Sequence, residues 1–259
     1  DPDGRCYWVK LFRMNDVRGK QSRYAIFDTI RGVAILMMIV YHFSWDLTFF
    51  GFADFRIFTD PWWIWFANVI VIMILGVMGV SQVMARQRKF DLRVFLRRFA
   101  LIASCAGAVS LATWFLDPGT FVFFGILHHI ALASLLITGA ILLPSGLLIA
   151  LAVLLLAAPH YFTATMFAPD WLLWLGLSPS APAAVDYVPV APWFAVPLLG
   201  IAAGRWLFQS RVAPAVLGWN PQNIVMQIVR FAGRNSLVIY MVHQPILYGG
   251  LYIAFEISR

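Results

Sequence analysis

Four of the five histidines, His42, His128, His129 and His243, lie within runs of apolar residues, where ionisable side chains are otherwise scarce. Such groups are costly at membrane depth and mark function by default. Imidazole suits proton transfer near neutral pH, and its lone pair is a competent nucleophile. Arg31 and His42 stand eleven residues apart. On a helix that spacing leaves them about 20° apart around the axis and about 16 Å apart along it. They therefore line one stripe. Asp28 precedes Arg31 by three residues and can pair with it, while Asp46 follows His42 by four and is spaced to hold the imidazole tautomer. A purely structural account of the same residues makes Asp28–Arg31 an ion pair and His42 an interfacial side chain.

Two further segments bring polar groups inward. His128 and His129 are adjacent, so they diverge by about 100° on a helix and one must point away from any given cavity. Each could equally be a histidine hydrogen-bonded to a neighbouring helix. Near the C-terminus come Arg234, Asn235 and Ser236, then His243, Gln244 and Pro245. Pro245 leaves a backbone carbonyl unpaired one turn earlier, near Met241. A helix kinked beside two polar side chains faces a cavity. No His-x3-His or Cys-x2-Cys spacing occurs, so no metal is expected. No Gly-x-Ser-x-Gly elbow is present either, which argues against a serine hydrolase.

The elements that must carry these residues are membrane helices. The 259 residues are 61% hydrophobic and 12% charged, with a mean hydropathy of +0.80; ordinary globular chains are about a quarter charged. Seven apolar stretches approach the roughly 20 residues of a spanning helix: about 24–45, 62–85, 95–116, 121–142, 143–158, 191–208 and 235–255. The predicted fold is all-α, a polytopic bundle of about seven helices. Pro144-Ser145-Gly146 turns the fourth back on the fifth as an antiparallel hairpin. Residues 1–22 form a basic arm, and residues 23–259 form the bundle with an outer loop at 159–190.

Lys and Arg give the orientation. The arm holds Arg5, Lys10, Arg13, Arg18, Lys20 and Arg23, the second connection holds Arg86, Arg88, Lys89, Arg93, Arg97 and Arg98, and the last holds Arg205, Arg211, Arg230 and Arg234. With an odd number of spans all three segments face the cytoplasm, including the N-terminus. The net charge of +7 thus serves topology and lipid headgroups, and no nucleic-acid partner is expected. The 159–190 loop holds no Lys or Arg but has Trp171, Trp174, Asp170 and Asp186. Its Trp171–Leu177 piece suits an interfacial segment at headgroup level. Cys6 and Cys105 build no disulfide framework.

Arg23-Tyr-Ala-Ile-Phe-Asp28-Thr-Ile-Arg31-Gly32 resembles the opening of the membrane acyltransferase superfamily, and Arg31-x10-His42 resembles the pattern of its acyltransferase-three branch. Three other pieces are similar to bacterial members of the heparan-alpha-glucosaminide N-acetyltransferase catalytic-domain family. They are Phe124-Gly-Ile-Leu-His128, Asp186-Tyr-Val-Pro with Pro192-Trp-Phe, and Gly233-Arg-Asn-Ser-Leu-Val-Ile-Tyr-Met-Val-His243-Gln-Pro. The resemblance implies transfer of an acetyl or other acyl group from cytoplasmic acyl-CoA to a cell-envelope sugar or similar polar acceptor at the outer face of a bacterial inner membrane. It implies His42 as base or acyl carrier, and Arg31, partnered by Asp28, in the donor channel. Arg97 and Arg98 would meet the CoA phosphates. His128 and His243 fall on recurrent motif positions. Gln244 or Asn235 could supply a hydrogen bond to a developing oxyanion. The competing function is a proton-coupled small-solute transporter using the same histidines. Acceptor identity, acyl length and homo-oligomerisation stay open at this level.

Overall fold

A computed structural model describes residues 24–86, 90–182, 184 and 186–258. The basic arm, Arg23, Arg88 and Lys89 lie outside the described residues. The described chain is helical with no strand: α1 (Ala25–Phe49), α2 (Pro61–Arg86), α3 (Leu92–Leu116), α4 (Ile126–Ala140), α5 (Ser145–Tyr161), α6 (Val190–Trp193), α7 (Ala195–Gln209), α8 (Ala213–Gly218), α9 (Ile224–Arg234) and α10 (Ser236–Ser258).

Local chemistry sets several ends. Asp91 caps α3 by accepting from the Arg93 and Val94 amides, and Asn223 caps α9 by accepting from Met226 N. Inside α1 the hydroxyls of Thr29, Ser44 and Thr48 turn back to carbonyls four residues earlier, which hides polar groups a lipid-facing helix could not leave bare. Among the described residues five segments are long and apolar enough to cross a membrane: α1, α2, α3, the α6–α7 stretch Val190–Gln209, and α10. The other two predicted spans form shorter apolar helices. With 15 and 17 residues, α4 and α5 are about 22 and 25 Å long, short of a roughly 30 Å hydrocarbon core.

The expected α4–α5 hairpin takes a different form. Residues 141–144 do turn the chain, yet α4 packs chiefly on α3 while α5 packs on α6 and α7. Apolar burial explains this: Ile137 of α4 and Leu148 of α5 both bury against Ala195, Leu198 and Ile201 of α7. The turn itself is clasped by arginines. Arg205 donates to the carbonyls of Leu143 and Ile141 at 2.7 and 2.6 Å, and Arg86 also donates to Ile141 O. Two guanidiniums thereby cover the free carbonyls at the C-terminal end of α4.

Backbone-to-backbone crossings fix the rest. Gly79 of α2 and Gly200 of α7 meet so closely that a Cβ on Gly79 would lie 2.2 Å from Pro197 O. Where α1 meets α9, a Cβ on Gly32 would fall 1.9 Å from Val229 O, and one on Gly233 would fall 1.8 Å from Asp28 O. Small residues allow such approach where hydrophobic driving force between helices is weak. Helix α9 lies in what the sequence reading treats as a plain basic connection. Its Val229, Arg230, Ala232 and Gly233 face inward, while Ile224, Val225, Ile228 and Phe231 are exposed.

A side chain at Gly79 or Gly233 must push two backbones apart, so Gly79→Ala and Gly233→Ala should each lower stability by at least about 1–3 kcal/mol. Gly107 on α3 has nothing near its Cβ position. Gly107→Ala should be neutral or stabilising by up to about 1 kcal/mol. Thermal unfolding of the three purified variants in one detergent checks both statements.

Candidate active site

Asp28 is almost fully buried at the start of α1, and two guanidiniums converge on it. Arg31 Nη1 lies 3.6 Å from Oδ1, and Arg234 Nε donates to Oδ2 at 3.1 Å. Arg31 also donates to Ser81 Oγ of α2 at 2.7 Å. One carboxylate therefore faces two cations. These residues open on a cavity of about 610 Å³ that Arg98, Asn235 and Ser236 also line. Its walls between the polar groups are apolar, with Met78 and Met84 of α2, Leu101 and Ile102 of α3 and Ile130 of α4.

A second cavity of about 110 Å³ lies further along α1. His42, Tyr41, Asn68, Asp186, Tyr187, Trp193 and Tyr240 contribute its polar and aromatic lining. Ile74, Ile126 and Tyr240 line both cavities, so the two spaces share one wall. The His42 ring sits 5.1 Å from that of His243, centroid to centroid. His243 Nδ1 donates to Tyr240 O at 2.5 Å, which places the neutral ring's lone pair on Nε2, buried and without a partner. One turn beyond His42, the fully buried Asp46 accepts from Gln244 Nε2 at 2.9 Å. Asp46 Oδ2 and Gln244 Oε1 are buried and unpartnered. Three unsatisfied polar atoms on neighbouring side chains of α1 and α10 are a concentration that ordinary packing avoids.

The 162–189 connection supplies the wall opposite α1. Asp186 accepts from the Ile126 amide at 3.2 Å and from Tyr240 OH at 2.6 Å, joining the N-terminus of α4 to α10. A Cβ on Gly125 would lie 2.6 Å from Asp186 Oδ2, so only glycine lets the carboxylate reach that helix end. Burial pushes the Asp186 carboxyl up to about 6, against the opposing pull of its Tyr240 and Ile126 hydrogen bonds. His128 Nδ1 accepts from the Gly125 amide, so Nε2 carries the proton and donates to Ser110 Oγ at 3.1 Å. Ser110 in turn donates to Val122 O. His129 donates through Nδ1 to Val188 O at 3.1 Å and pins the same loop to α4.

The residues singled out from the sequence therefore separate into groups. Asp28, Arg31 and Arg98 line the larger cavity, joined by Arg234 and Asn235. His42 and His243 meet beside the smaller one. Asp46, expected to hold the imidazole tautomer, accepts from Gln244, expected as an oxyanion donor. Both ring nitrogens of His128 are taken up at the α3–α4 turn. Arg97 is exposed on α3 and is not part of the larger cavity's lining. Sequence reasoning missed Ser81, Asn68, Asp186 and Tyr240 as site residues. Asp186 and Tyr240 sit inside the quoted motifs, and an acidic residue in a cation-poor loop was the available signal. Among the described residues no three His, Cys, Asp or Glu side chains gather as a metal site.

Apolar spans, a cavity lined by arginines and a second one lined by His42 sharing a wall with it characterise a polytopic helical protein of membrane type. The profile of the heparan-alpha-glucosaminide N-acetyltransferase catalytic domain matches residues 23–245, and the chain belongs to that family. Membership supports a membrane acetyltransferase-type function. Comparison with curated proteins and with solved structures returns no match.

The Asp186 carboxyl yields a pH prediction whose sign follows from linkage. Its folded pKa of about 6 lies above the ordinary 3.8, so the folded state holds the proton more tightly between those values. Its contribution to stability is present at low pH and is lost as pH rises from about 4 through about 6. The wild type should therefore gain stability relative to Asp186→Asn as pH falls across that window. Parallel thermal melts of the two proteins at pH 4.5, 5.5 and 6.5 would show it; a constant difference would contradict it.

Proposed function

We propose that this protein transfers an acetyl or similarly small acyl group from acyl-CoA, bound in the basic cavity, to a polar acceptor reaching the His42 chamber. The observation that carries this reading is the shared wall at Ile74, Ile126 and Tyr240, with Arg31, Arg98 and Arg234 on one side and His42 on the other. Guanidiniums match the phosphates and carbonyls of a CoA-type donor. The apolar flanks of the cavity suit its pantetheine arm. A chamber of about 110 Å³ has room for a small acyl group at the thioester carbon.

In the covalent version an imidazole nitrogen of His42 attacks the thioester carbonyl. The N–C bond forms as the C–S bond breaks, and CoA leaves as a thiolate that takes up a proton. An acceptor hydroxyl or amine then attacks the acyl-imidazole, the C–N bond breaks, and the acceptor's proton ends on the ring. In the direct version His42 only takes that proton while the acceptor attacks the thioester. His243, with its Nε2 lone pair beside His42, is placed to share the proton in either case. Asn68 lies in the chamber and is the side-chain amide available there for the oxyanion. The basic end would face the cytoplasm, where acyl-CoA is made, and the His42 end the outer side of a bacterial inner membrane. The acceptor in this reading is a cell-envelope sugar or a comparable polar molecule.

Purified wild-type protein should transfer label from radiolabelled acetyl-CoA to an acceptor or, transiently, to itself. His42→Ala should lower turnover by about 10²–10⁴-fold, and an active His42→Ala protein would remove the mechanism. Arg31→Ala should act mainly through KM for the donor. CoA at 100 times its Kd should stabilise the wild type by about 2.7 kcal/mol. A pH-dependent solute flux in liposomes without any response to CoA would favour the transporter reading instead.

A further inference from the structure

Asp46 and Gln244 form a closed problem in hydrogen-bond accounting. Asp46 has no exposed surface, and its Oδ1 receives the Gln244 amide at 2.9 Å. The second oxygen of each side chain, Asp46 Oδ2 and Gln244 Oε1, is buried and has no donor. The hydroxyls nearest it on α1 are spoken for: Ser44 Oγ donates to Val40 O, and Thr48 Oγ1 donates to Ser44 O. His243 Nδ1 donates to Tyr240 O. Tyr248 on α10 is the titratable group that faces the carboxyl; His42 stands one turn earlier on the same helix as Asp46, with its ring against that of His243. Among the described residues no guanidinium or ammonium pairs with Asp46; the arginines near α1 gather on Asp28.

A buried carboxylate held by one neutral amide donor is poorly compensated. Two acceptors without a donor on the same pair of side chains lack one hydrogen between them. We propose that Asp46 carries that proton, and that its O–H donates to Gln244 Oε1 while Gln244 Nε2 donates to Asp46 Oδ1, forming a neutral, eight-membered acid–amide ring between α1 and α10. The ring satisfies all four groups at once. It locks the two helices at the level of the imidazoles and holds the His42 and His243 rings together. It also withholds a negative charge from a position one turn from His42. That charge would otherwise draw a proton onto the imidazole and occupy the lone pair that acyl transfer needs. Asp46 is thus a positioning residue for His42, in contrast to the ionised partner of an Asp–His pair. This consequence for catalysis rests on the acyltransferase reading; the protonation state itself does not.

Infrared difference spectroscopy on the full chain in detergent, wild type minus Asp46→Asn at pH 7, reads the proton directly. The expected result is loss of the C=O stretch of a protonated carboxylic acid, and a shift of that band in Gln244→Leu as its hydrogen bond disappears. Loss of carboxylate stretches instead would overturn the proposal, whether a water or a cation accompanies the charge. Thermal unfolding gives an independent readout. The amide of Asp46→Asn can close the same ring, so its Tm should stay within about 2 °C of the wild type. Asp46→Leu and Gln244→Leu each strand a buried partner and should lose roughly 4–10 °C. An Asp46→Asn protein as unstable as Asp46→Leu would overturn the ring. A rise in Tm with sodium chloride in the wild type but not in Asp46→Asn would also overturn it, assigning a cation to the site. Failure of the wild type to turn over acetyl-CoA would sink the proposed activity alone, since both readouts of Asp46 would stand.

Discussion

The register between α1 and α10 depends on one buried carboxylate. Asp28 accepts Arg234 at the junction of α9 and α10 while Arg31 of its own helix shares the charge. The backbones can come that close because Gly32 and Gly233 have no side chains. With the two helices pinned there and running in the same direction, what happens further along is set by helical rise. Fourteen residues on from Asp28 comes His42, and nine on from Arg234 comes His243. The two rings meet, and the next turn joins Asp46 to Gln244. Removal of the Asp28 charge would leave two guanidiniums repelling each other at the crossing, so the imidazole pair depends on an ion pair far from it.

The same crossing divides the polar interior by charge. Arginines collect on one side of the wall formed by Ile74, Ile126 and Tyr240, and the other side holds the His42 imidazole, phenols and Asp186, with no Lys or Arg among the described lining residues. The antiparallel run of α2 beside α1 reinforces this. Ser81 near its end meets Arg31, and Asn68 near its start joins the His42 chamber. The arginines make the first space the one suited to an anionic ligand. Tyr240, whose hydroxyl is held by Asp186, keeps the wall in place between them.

Much of this was legible in the residues. Hydropathy located all seven apolar segments, because lipid exposure demands long uncharged runs, and Arg31 and His42 share α1 although they line different cavities. Three things were not legible. The lengths of α4 and α5 depend on where Asp186 caps one and where Arg86 and Arg205 clasp the turn, and those partners are remote in sequence. Helix α9 was hidden because its inward face uses Gly233 and Arg230, whose value appears only against α1. Side-chain direction was the third. The i, i+4 spacing of His42 and Asp46 is compatible with a hydrogen bond between them, but α10 offers Asp46 a better donor.

The treatment of histidine in this fold shows how partners decide role. His128 and His129 are neighbours on α4, and each spends ring nitrogens on the loops that meet there: Gly125 and Ser110 for one, Val188 for the other. They hold the end of α4 against α3 and against the Asp186 loop. That in turn fixes Ile126, which lines both cavities and gives its amide to Asp186. His243 spends only Nδ1, on the carbonyl one turn back in its own helix, and keeps Nε2 in the company of His42. His128, with both nitrogens committed, is a structural peg, and His129 is tied through Nδ1 alone. A histidine left with a buried lone pair beside a second imidazole retains the capacity to move a proton or carry an acyl group, and in this chain α1 and α10 bring such a pair together.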